Sequence, residues 1–479
     1  MECGGQFLKC LQGLYGVDSA AVRTAQGTSG AFRCFQGVQQ GSPLSPLLFG
    51  LLLDCLHKVL KAVPGNGAPS LADYWFTAAG REWKMQKPVP LLLYADDLAM
   101  LSTRAEGLQN MLDALQVFSK KRRLTVNLEK TEVLVFELRH TPCRDFTYGG
   151  RVLTRKDSFK YLGLWFHATQ RDFRLALGSL AASACKAMHA MRRRCFQLGC
   201  VHPQRMCNLF NALVLPILSY GCEVWFWHHD ASSTVTKVLE GVHLQFFRGL
   251  LGVKRTTHHL IALAEFGRYP LAVHWQKQVD KFRLRICNVT RTASDNPLFW
   301  AMFDGTPNVE NLRLLRTPAG FAALQARGRP ASAPSTERHE RLFAENSDST
   351  VATYKQMRGF SAAYTTQPYI QQIRGYRLRK SMAQIRCSSH RLRVETGRYT
   401  SEARHERTCR LCTSATAIED EQHILLHCPQ LDDLRNAHSH LFKTPGQTLT
   451  DLFDDHPPIL LAKYVRAALL MHQSVLLLP

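Results

Sequence analysis

The spacing of apolar residues changes period several times along the chain. After Ser45 and Pro46, a residue type that caps helices and one suited to the first helical position, Leu48, Leu51, Leu52, Cys55 and Val59 recur at helical spacing. A second amphipathic helix is marked by Leu108, Met111, Leu112, Leu115 and Phe118, and it ends in the basic cluster Lys120 to Arg123. Between the two lies LLLYADDLAML, Leu91 to Leu101, where an apolar run meets Asp96 and Asp97 and then resumes. Aspartate is disfavoured inside strands, so this pattern predicts a β-hairpin with an acidic turn. Upstream, FLKCLQGLYG predicts a helix, and AAVRTAQ with the turn around Gly27 to Gly30 predicts a hairpin. Downstream, LTVNLEKTEVLVF predicts two strand pieces around Asn127 to Lys130, and FKYLGLWF, Phe159 to Phe166, a strand and turn. Gly65 to Lys87 reads as a loop insertion. This order predicts an α+β layer, an antiparallel sheet with helices on one face.

From residue 170 to about 300 the period is helical. Residues 318–350 shift to Ala, Pro, Ser, Gly and mixed charge, the composition of a linker, and the last residues, Leu449 to Pro479, predict one or two amphipathic helices. The expected organisation is therefore 1–166, 167–317, a linker at 318–350, and 351–479. A chain of 479 residues carries a soft prior of about three domains.

Charge changes the picture more than length does. Sixty Lys and Arg stand against 38 Asp and Glu, a net charge of +22. Such an excess points to a polyanionic partner. Nucleic acid fits better than a membrane, because the longest apolar stretch, Leu44 to Leu60, is interrupted by Asp54, His57 and Lys58. Basic residues recur through the helical region: Arg192 to Arg194, Arg248, Lys254, Arg255, Lys277, Lys281, Arg283 and Arg285. They read either as solvated helix faces or as a surface tracking a phosphate backbone. Trp225 and Trp227 sit among apolar neighbours and read as core or interface aromatics. Fifteen cysteines, an odd number without a regular framework, suit a reducing compartment, and the amino terminus lacks a secretory pattern.

Three places carry candidate chemistry. The Asp96–Asp97 pair reads either as a solvated turn or as a turn presenting carboxylates to Mg²⁺. Gln40 and Gly41 precede the helix that opens at Ser45, where a side-chain amide and backbone N–H groups can meet a phosphate or nucleotide; an ordinary capped core helix has the same pattern. Cys409, Cys412, His423 and Cys428 have the spacing C-x2-C-x10-H-x4-C, close to that of a tetrahedral zinc site. His427, adjacent to Cys428, is the poorer ligand on geometry.

Taken in order, QGSPLSPLLF, YADDLAML, NLEKTEVLVF and KYLGLWF resemble the successive motifs of the palm of a reverse transcriptase of the non-LTR (LINE-type) retrotransposons. LVLPILSYGCEVWFW, FRGLLGVKR and LAEFGRYPL resemble the helical thumb that follows, and EDEQHILLHCP after an arginine-rich lead resembles the carboxyl-terminal zinc motif of these elements. The resemblance implies a palm remnant, a helical thumb and a small zinc-binding unit. It implies Asp96 and Asp97 as ligands of catalytic Mg²⁺, Gln40 and Gly41 at the incoming nucleotide, Lys130 as proton donor to pyrophosphate, and Tyr161 to Gly163 as a turn gripping the primer end. The implied partners are RNA, DNA and deoxynucleoside triphosphates, in an intracellular nuclear or cytoplasmic ribonucleoprotein.

The family pattern also demands an aspartate on an earlier strand, in a short A-F-D type motif. The chain begins at Met1, after the place where that strand belongs, and neither Asp18 nor Asp54 stands in its position. The expectation is an amino-terminally truncated polymerase, inactive as this chain alone. The alternative is a non-catalytic RNA- or DNA-binding protein that uses the basic thumb and the zinc unit.

Overall fold

The computed structural model describes residues 5–15, 19–33, 37–38, 41–78, 81–136, 144–170, 172–226, 236–290, 335–358, 364–412, 414, 416–442 and 446–475. They form two compact units: one through Val133 together with 144–155, the other comprising 134–136 and Lys156 onward.

The first unit begins with helix α1 (Gln6–Tyr15) and a nested ribbon in which β1 (Ser19–Ala20) pairs with β4 (Phe32–Arg33) outside β2 (Arg23–Thr24) and β3 (Gly27–Thr28). Helix α2 (Ser45–Lys61) follows. It starts at Ser45 itself, with Leu44 at the capping position, Pro46 in the first turn and Ser42 Oγ accepting the Leu44 N–H. Where a loop insertion was expected, β5 (Ser70–Ala78) and β6 (Arg81–Pro88) form an antiparallel hairpin. Part of the signal was present: Tyr74, Trp75, Phe76 and Thr77 favour a strand, whereas of Glu82 to Gln86 only Trp83 does. Strands β7 (Leu91–Tyr94) and β8 (Asp97–Met100) make the acidic hairpin, and α3 (Ala105–Arg122) packs on α2. Leu53, Leu56 and Leu60 of α2, Leu91 of β7, and Met111, Leu115 and Phe118 of α3 form the core here. Gln109 of α3 ties down Thr147, accepting its N–H and donating to its carbonyl, both at 2.9 Å, so the small hairpin of β10 (Thr147–Tyr148) and β11 (Arg151–Val152) lies against that helix. Of the two strand pieces expected around Asn127, only the second forms, as β9 (Glu132–Leu134); residues 124–131 are turn and coil, in which Asn127 Oδ1 accepts from Glu129 N and Lys130 N.

The expected single antiparallel sheet is not what the described residues form. Their strands, including β12 (Thr154–Lys156), β13 (Ser158–Tyr161) and β14 (Leu164–His167), pair two by two. A two-stranded ribbon has two edges and little area to bury, and three of these lean on helices: β7–β8 through Leu91, β10–β11 on α3 and β13–β14 on α4 (Arg174–Gln197).

The second unit has one continuous core. It runs from Leu164 through α4 (Arg174–Gln197), α5 (Pro203–Leu213), α6 (Leu215–Leu218), α7 (Cys222–Trp225), α8 (Lys237–Leu251), α9 (His259–Ala264) and α10 (Leu271–Thr290) into the carboxyl-terminal helices as far as Leu469. Trp225 and Trp275 meet edge to face at 5.0 Å, both fully buried; Trp227 lies outside the described residues. The boundary expected at 351 is not a boundary of packing. Residues 335–350, read as linker, belong largely to two helices, Thr336–Glu345 and Ser349–Arg358, whose Phe343, Val351, Tyr354 and Met357 enter the core. Ser335 caps the first of them by accepting Arg338 N. The rest of that expected linker lies outside the described residues.

At the centre of this core Glu265, fully buried, accepts from Arg386 Nε and Nη2 at 3.0–3.3 Å, from Tyr354 Oη at 2.8 Å and from Tyr369 Oη. Arg386 also donates to Met357 O at 2.6 Å and Gln367 Oε1 at 2.7 Å. Burial opposes the guanidinium charge, but the facing carboxylate outweighs it and raises the pKa of Arg386, so the group stays cationic. Burial and the same carboxylate push both phenols well above their ordinary range, leaving them as donors. No single helix among the described residues is long and apolar enough to cross a membrane.

Candidate functional site

The acidic turn is a two-residue loop, Ala95–Asp96, between the paired Tyr94 and Asp97. Ala95 has φ 52°, the left-handed conformation that such tight hairpins require. Asp96 and Asp97 are both exposed, and so are Leu92, Leu93 and Tyr94 of the strand leading into them. Among the described residues no third His, Cys, Asp or Glu joins the pair in a metal-holding group. Asp54 is exposed on α2, and Asp18 lies outside the described residues. Mg²⁺ is held by carboxylates together with phosphate oxygens and water. Two carboxylates fit part of such a shell and do not complete it.

The other expected residues of this site are not gathered around the turn by any hydrogen bond or ion pair among the described residues. Lys130 is exposed, at the end of the Asn127 turn. Gly41 precedes α2 with φ 90°, a conformation that suits glycine, and Gln40 lies outside the described residues. The Tyr161–Gly163 turn of β13–β14 has Leu162 at φ 45° and Gly163 at φ 85°. It belongs to the second unit.

The Cys/His cluster is the better-built site. Ligand atoms of Cys409, Cys412, His423 and Cys428 all lie within 4.8 Å of one another, with Cys409 Sγ 3.9 Å from Cys428 Sγ and Cys412 Sγ 3.4 Å from His423 Nε2. Cys409 stands beside the antiparallel bridge of Thr408 with Ile418, and the following turn carries Cys412. His423 and Cys428 are five residues apart. In an α-helix of 3.6 residues per turn that spacing overshoots. Here His423–His427 is a π turn, with Cys428 N donating to His423 O at 2.7 Å, and the wider turn returns both side chains to one face. His427 is exposed and outside the cluster.

Burial pushes the Cys409 thiol up to about 12 and raises Cys428 too. Thiolates form in such a place only beside a cation. Three sulfurs and one imidazole in a near-tetrahedral group match Zn²⁺, and four protein ligands leave no open position, the pattern of a structural site.

Residues that the spacing did not reveal hold these ligands. Asp420 Oδ1 accepts His423 N at 2.9 Å, and Arg435 donates to Cys428 O while pairing with Asp432. Fully buried Glu419 accepts from the backbone N–H of Arg393 and Arg410, the Arg410 guanidinium at 2.7 Å and His472 Nε2 at 2.8 Å. Burial raises the pKa of Glu419, but its hydrogen bonds from His472 and Arg410 outweigh that and hold it at about 2. The knuckle between Cys409 and Cys412 is thereby fixed to the final helix, Pro458–Val475. Acidic residues at 419 and 420 beside an arginine-rich lead were the sequence signal.

The basic residues divide. Arg193 and Arg194 are exposed on α4, a 24-residue helix without an acidic residue, and Lys277, Lys281 and Arg285 are exposed at four-residue intervals on α10. Lys254 turns inward, its Nζ donating to His390 O at 2.9 Å, and Arg248 donates to Thr257 O. The Arg283 side chain lies outside the described residues.

Comparison with known proteins defines the class. The family model described as "Reverse transcriptase (RNA-dependent DNA polymerase)" matches residues 6–166, and the chain carries a reverse transcriptase domain there. Its homologues are polyproteins of the R2 and jockey non-LTR retrotransposons. It is 26% identical over 216 residues to the Pol polyprotein of the type-1 retrotransposable element R2 of Popillia japonica, covering 43% of this chain and 27% of that one. To the RNA-directed DNA polymerase of the mobile element jockey of Drosophila melanogaster it is 25% identical over 236 residues, 46% of this chain and 22% of the relative. To the R2 polyprotein of Nasonia vitripennis it is 27% identical over 143 residues, 28% of this chain and 12% of the relative. The chain thus spans a minor part of the length of the relatives it matches.

Proposed function

We propose that the chain handles template and primer in RNA-directed DNA synthesis within an intracellular ribonucleoprotein, and that its chemistry is completed by a third carboxylate from outside the described residues. One observation carries this. Asp96 and Asp97 sit side by side at a tight hairpin turn inside the reverse transcriptase domain, exposed and without a third ligand among the described residues. A two-metal route joining a 3′-hydroxyl to the α-phosphate of a deoxynucleoside triphosphate would take its ions on protein carboxylates, and Asp96 and Asp97 would supply part of that set. Asp96 is the metal ligand in this reading, Asp97 its neighbour, Gln40 and Gly41 face the nucleotide, and Lys130 protonates pyrophosphate. Mg²⁺ would supply the activation of the attacking oxygen. The exposed leucines of β7 and the ribbon's two edges offer a place for a further strand to pair.

The test is primer extension on a poly(rA) template with Mg²⁺ or Mn²⁺. The 479-residue chain alone is expected to give no product, and product that disappears in Asp96→Ala would overturn the claim of incompleteness.

A second reading, a non-catalytic RNA- or DNA-binding protein, is favoured by the contrast between the incomplete acidic turn and the complete Cys₃His cluster. In both readings zinc holds the carboxyl-terminal fold, and the exposed cations of α4 and α10 neutralise phosphates. Purified protein should contain about one zinc per chain, falling to near zero in Cys409→Ser. A metal-free wild type rejects the zinc assignment.

A further inference from the structure

We infer that Tyr220 is the positioning residue for the Tyr161–Gly163 turn, fixing the presentation of that turn to a primer end. The inference rests on the template–primer reading above. Two turns distant in sequence interlock here. Tyr220 Oη donates to Leu162 O at 2.6 Å, and Leu162 is held at φ 45°, so the bond fixes a carbonyl in the least common part of the hairpin. The ring lies over Gly163, where an added Cβ would come 2.9 Å from the Tyr220 ring. The fit is reciprocal: a Cβ at Gly221 would come 2.8 Å from Leu164 Cδ1. Both glycines have positive φ, 85° and 66°, so each turn is shaped by glycine to admit a side chain of the other.

The Tyr220 end of this contact is itself anchored. Trp225 Nε1 donates to Tyr220 O at 2.9 Å, and Trp225 is fully buried against Trp275. The strand below the turn is seated in the core by Leu164, with Trp165 and Phe166 packed against it, whereas Leu162 at the tip of the turn is exposed. Tyr220 itself is 48% exposed, which is far more than a residue serving only to fill the core would be. The Tyr220 hydroxyl therefore ties the exposed tip of the turn, at the Leu162 carbonyl, to the core. Removing it frees the turn and leaves the core as it was.

The experiment compares binding of a recessed 3′-end RNA–DNA duplex with binding of the same duplex lacking a recessed end, in wild type, Tyr220→Phe and Gly163→Ala. Wild type should prefer the recessed end. Tyr220→Phe should lower that preference about five-fold, the worth of one neutral hydrogen bond, with unchanged affinity for the other duplex and an unchanged melting temperature. Gly163→Ala, which pushes the ring away and strains a backbone at φ 85°, should lower the preference too, together with the melting temperature. A wild type that prefers the recessed end beside a Tyr220→Phe variant that keeps the full preference overturns the role of Tyr220 alone. A wild type without any preference overturns the template–primer reading of the turn, and this inference with it. Equal loss on both duplexes would show a merely structural tyrosine and also overturn it.

Discussion

Replacing Glu265 by Gln should destabilise the second unit as a whole. The carboxylate is fully buried and receives Arg386, Tyr354 and Tyr369, which come from three different carboxyl-terminal helices, while Glu265 itself ends α9. Glutamine keeps the shape but leaves the Arg386 cation uncompensated, and breaking one partner of a buried pair costs about 3–5 kcal/mol. A unit of roughly 300 residues unfolds with an entropy near ~0.6 kcal/mol per kelvin, so the melting midpoint should fall by about 5–8 °C. The assay is thermal unfolding followed by the fluorescence of Trp225 and Trp275 and, in parallel, by zinc release into a chromogenic chelator. Both probes should shift together, because the zinc ligands Cys409 and Cys428 belong to the same core as those tryptophans. Replacing both Glu265 and Arg386 by apolar residues should recover part of the loss. A shift below about 1 °C, or fluorescence and zinc release with separate midpoints, would refute the reasoning.

Other outcomes follow from the same geometry. Glu419 titrates at about 2 in the fold against an ordinary 4.5, so its contribution is fully present above pH 4.5 and is lost as pH falls toward 2. In Glu419→Gln the melting temperature should be lower at neutral pH and flatter across that acid window; an unchanged acid profile would remove Glu419 from the argument. Arg435→Ala takes away the donor on Cys428 O and should weaken zinc about ten-fold in competition with a chelator. Unchanged zinc affinity would make Arg435 incidental to the site. Exchanging Lys277, Lys281 and Arg285 for Gln should reduce the slope of log K against log salt for a duplex by about two to three, and an unaltered slope would mean that this face of α10 meets no phosphates.

What the sequence made legible was local. Helix α3 was set by apolar spacing, as was the existence of α2, though its buried face is Leu53, Leu56 and Leu60 while Leu51, Cys55 and Val59 of the expected stripe are exposed. The hairpins at Asp96 and Gly163 were set by turn chemistry, and the Cys/His quartet by four residues within twenty positions. What it concealed was long-range. The Glu265–Arg386 pair joins residues 121 apart, and nothing in either segment marks one as the partner of the other. Lys254 looked like its neighbour Arg255, yet it points inward because His390 O needs a donor. The linker was misjudged at its end for a related reason. Composition near Pro334 is that of loops, but Phe343 and Tyr354 find partners in a core assembled mainly from distant sequence.

The two candidate centres differ in how they are supported, and that difference bears on function. The zinc quartet is braced at each ligand: a π turn for His423 and Cys428, Asp420 and Arg435 on their backbones, and Glu419 on the knuckle. The acidic turn stands at the end of a two-stranded ribbon that Leu91, Leu98 and Met100 seat on the core of the first unit, with Leu92 and Leu93 exposed on the strand that leads into it. A metal site works when its ligands are held by rigid neighbours. The described residues alone thus bring together a four-ligand group with the donors to hold zinc, whereas Asp96 and Asp97 have no third ligand among those residues. Variants of the Cys/His cluster should therefore lower the melting temperature, and variants at Asp96 should leave it unmoved.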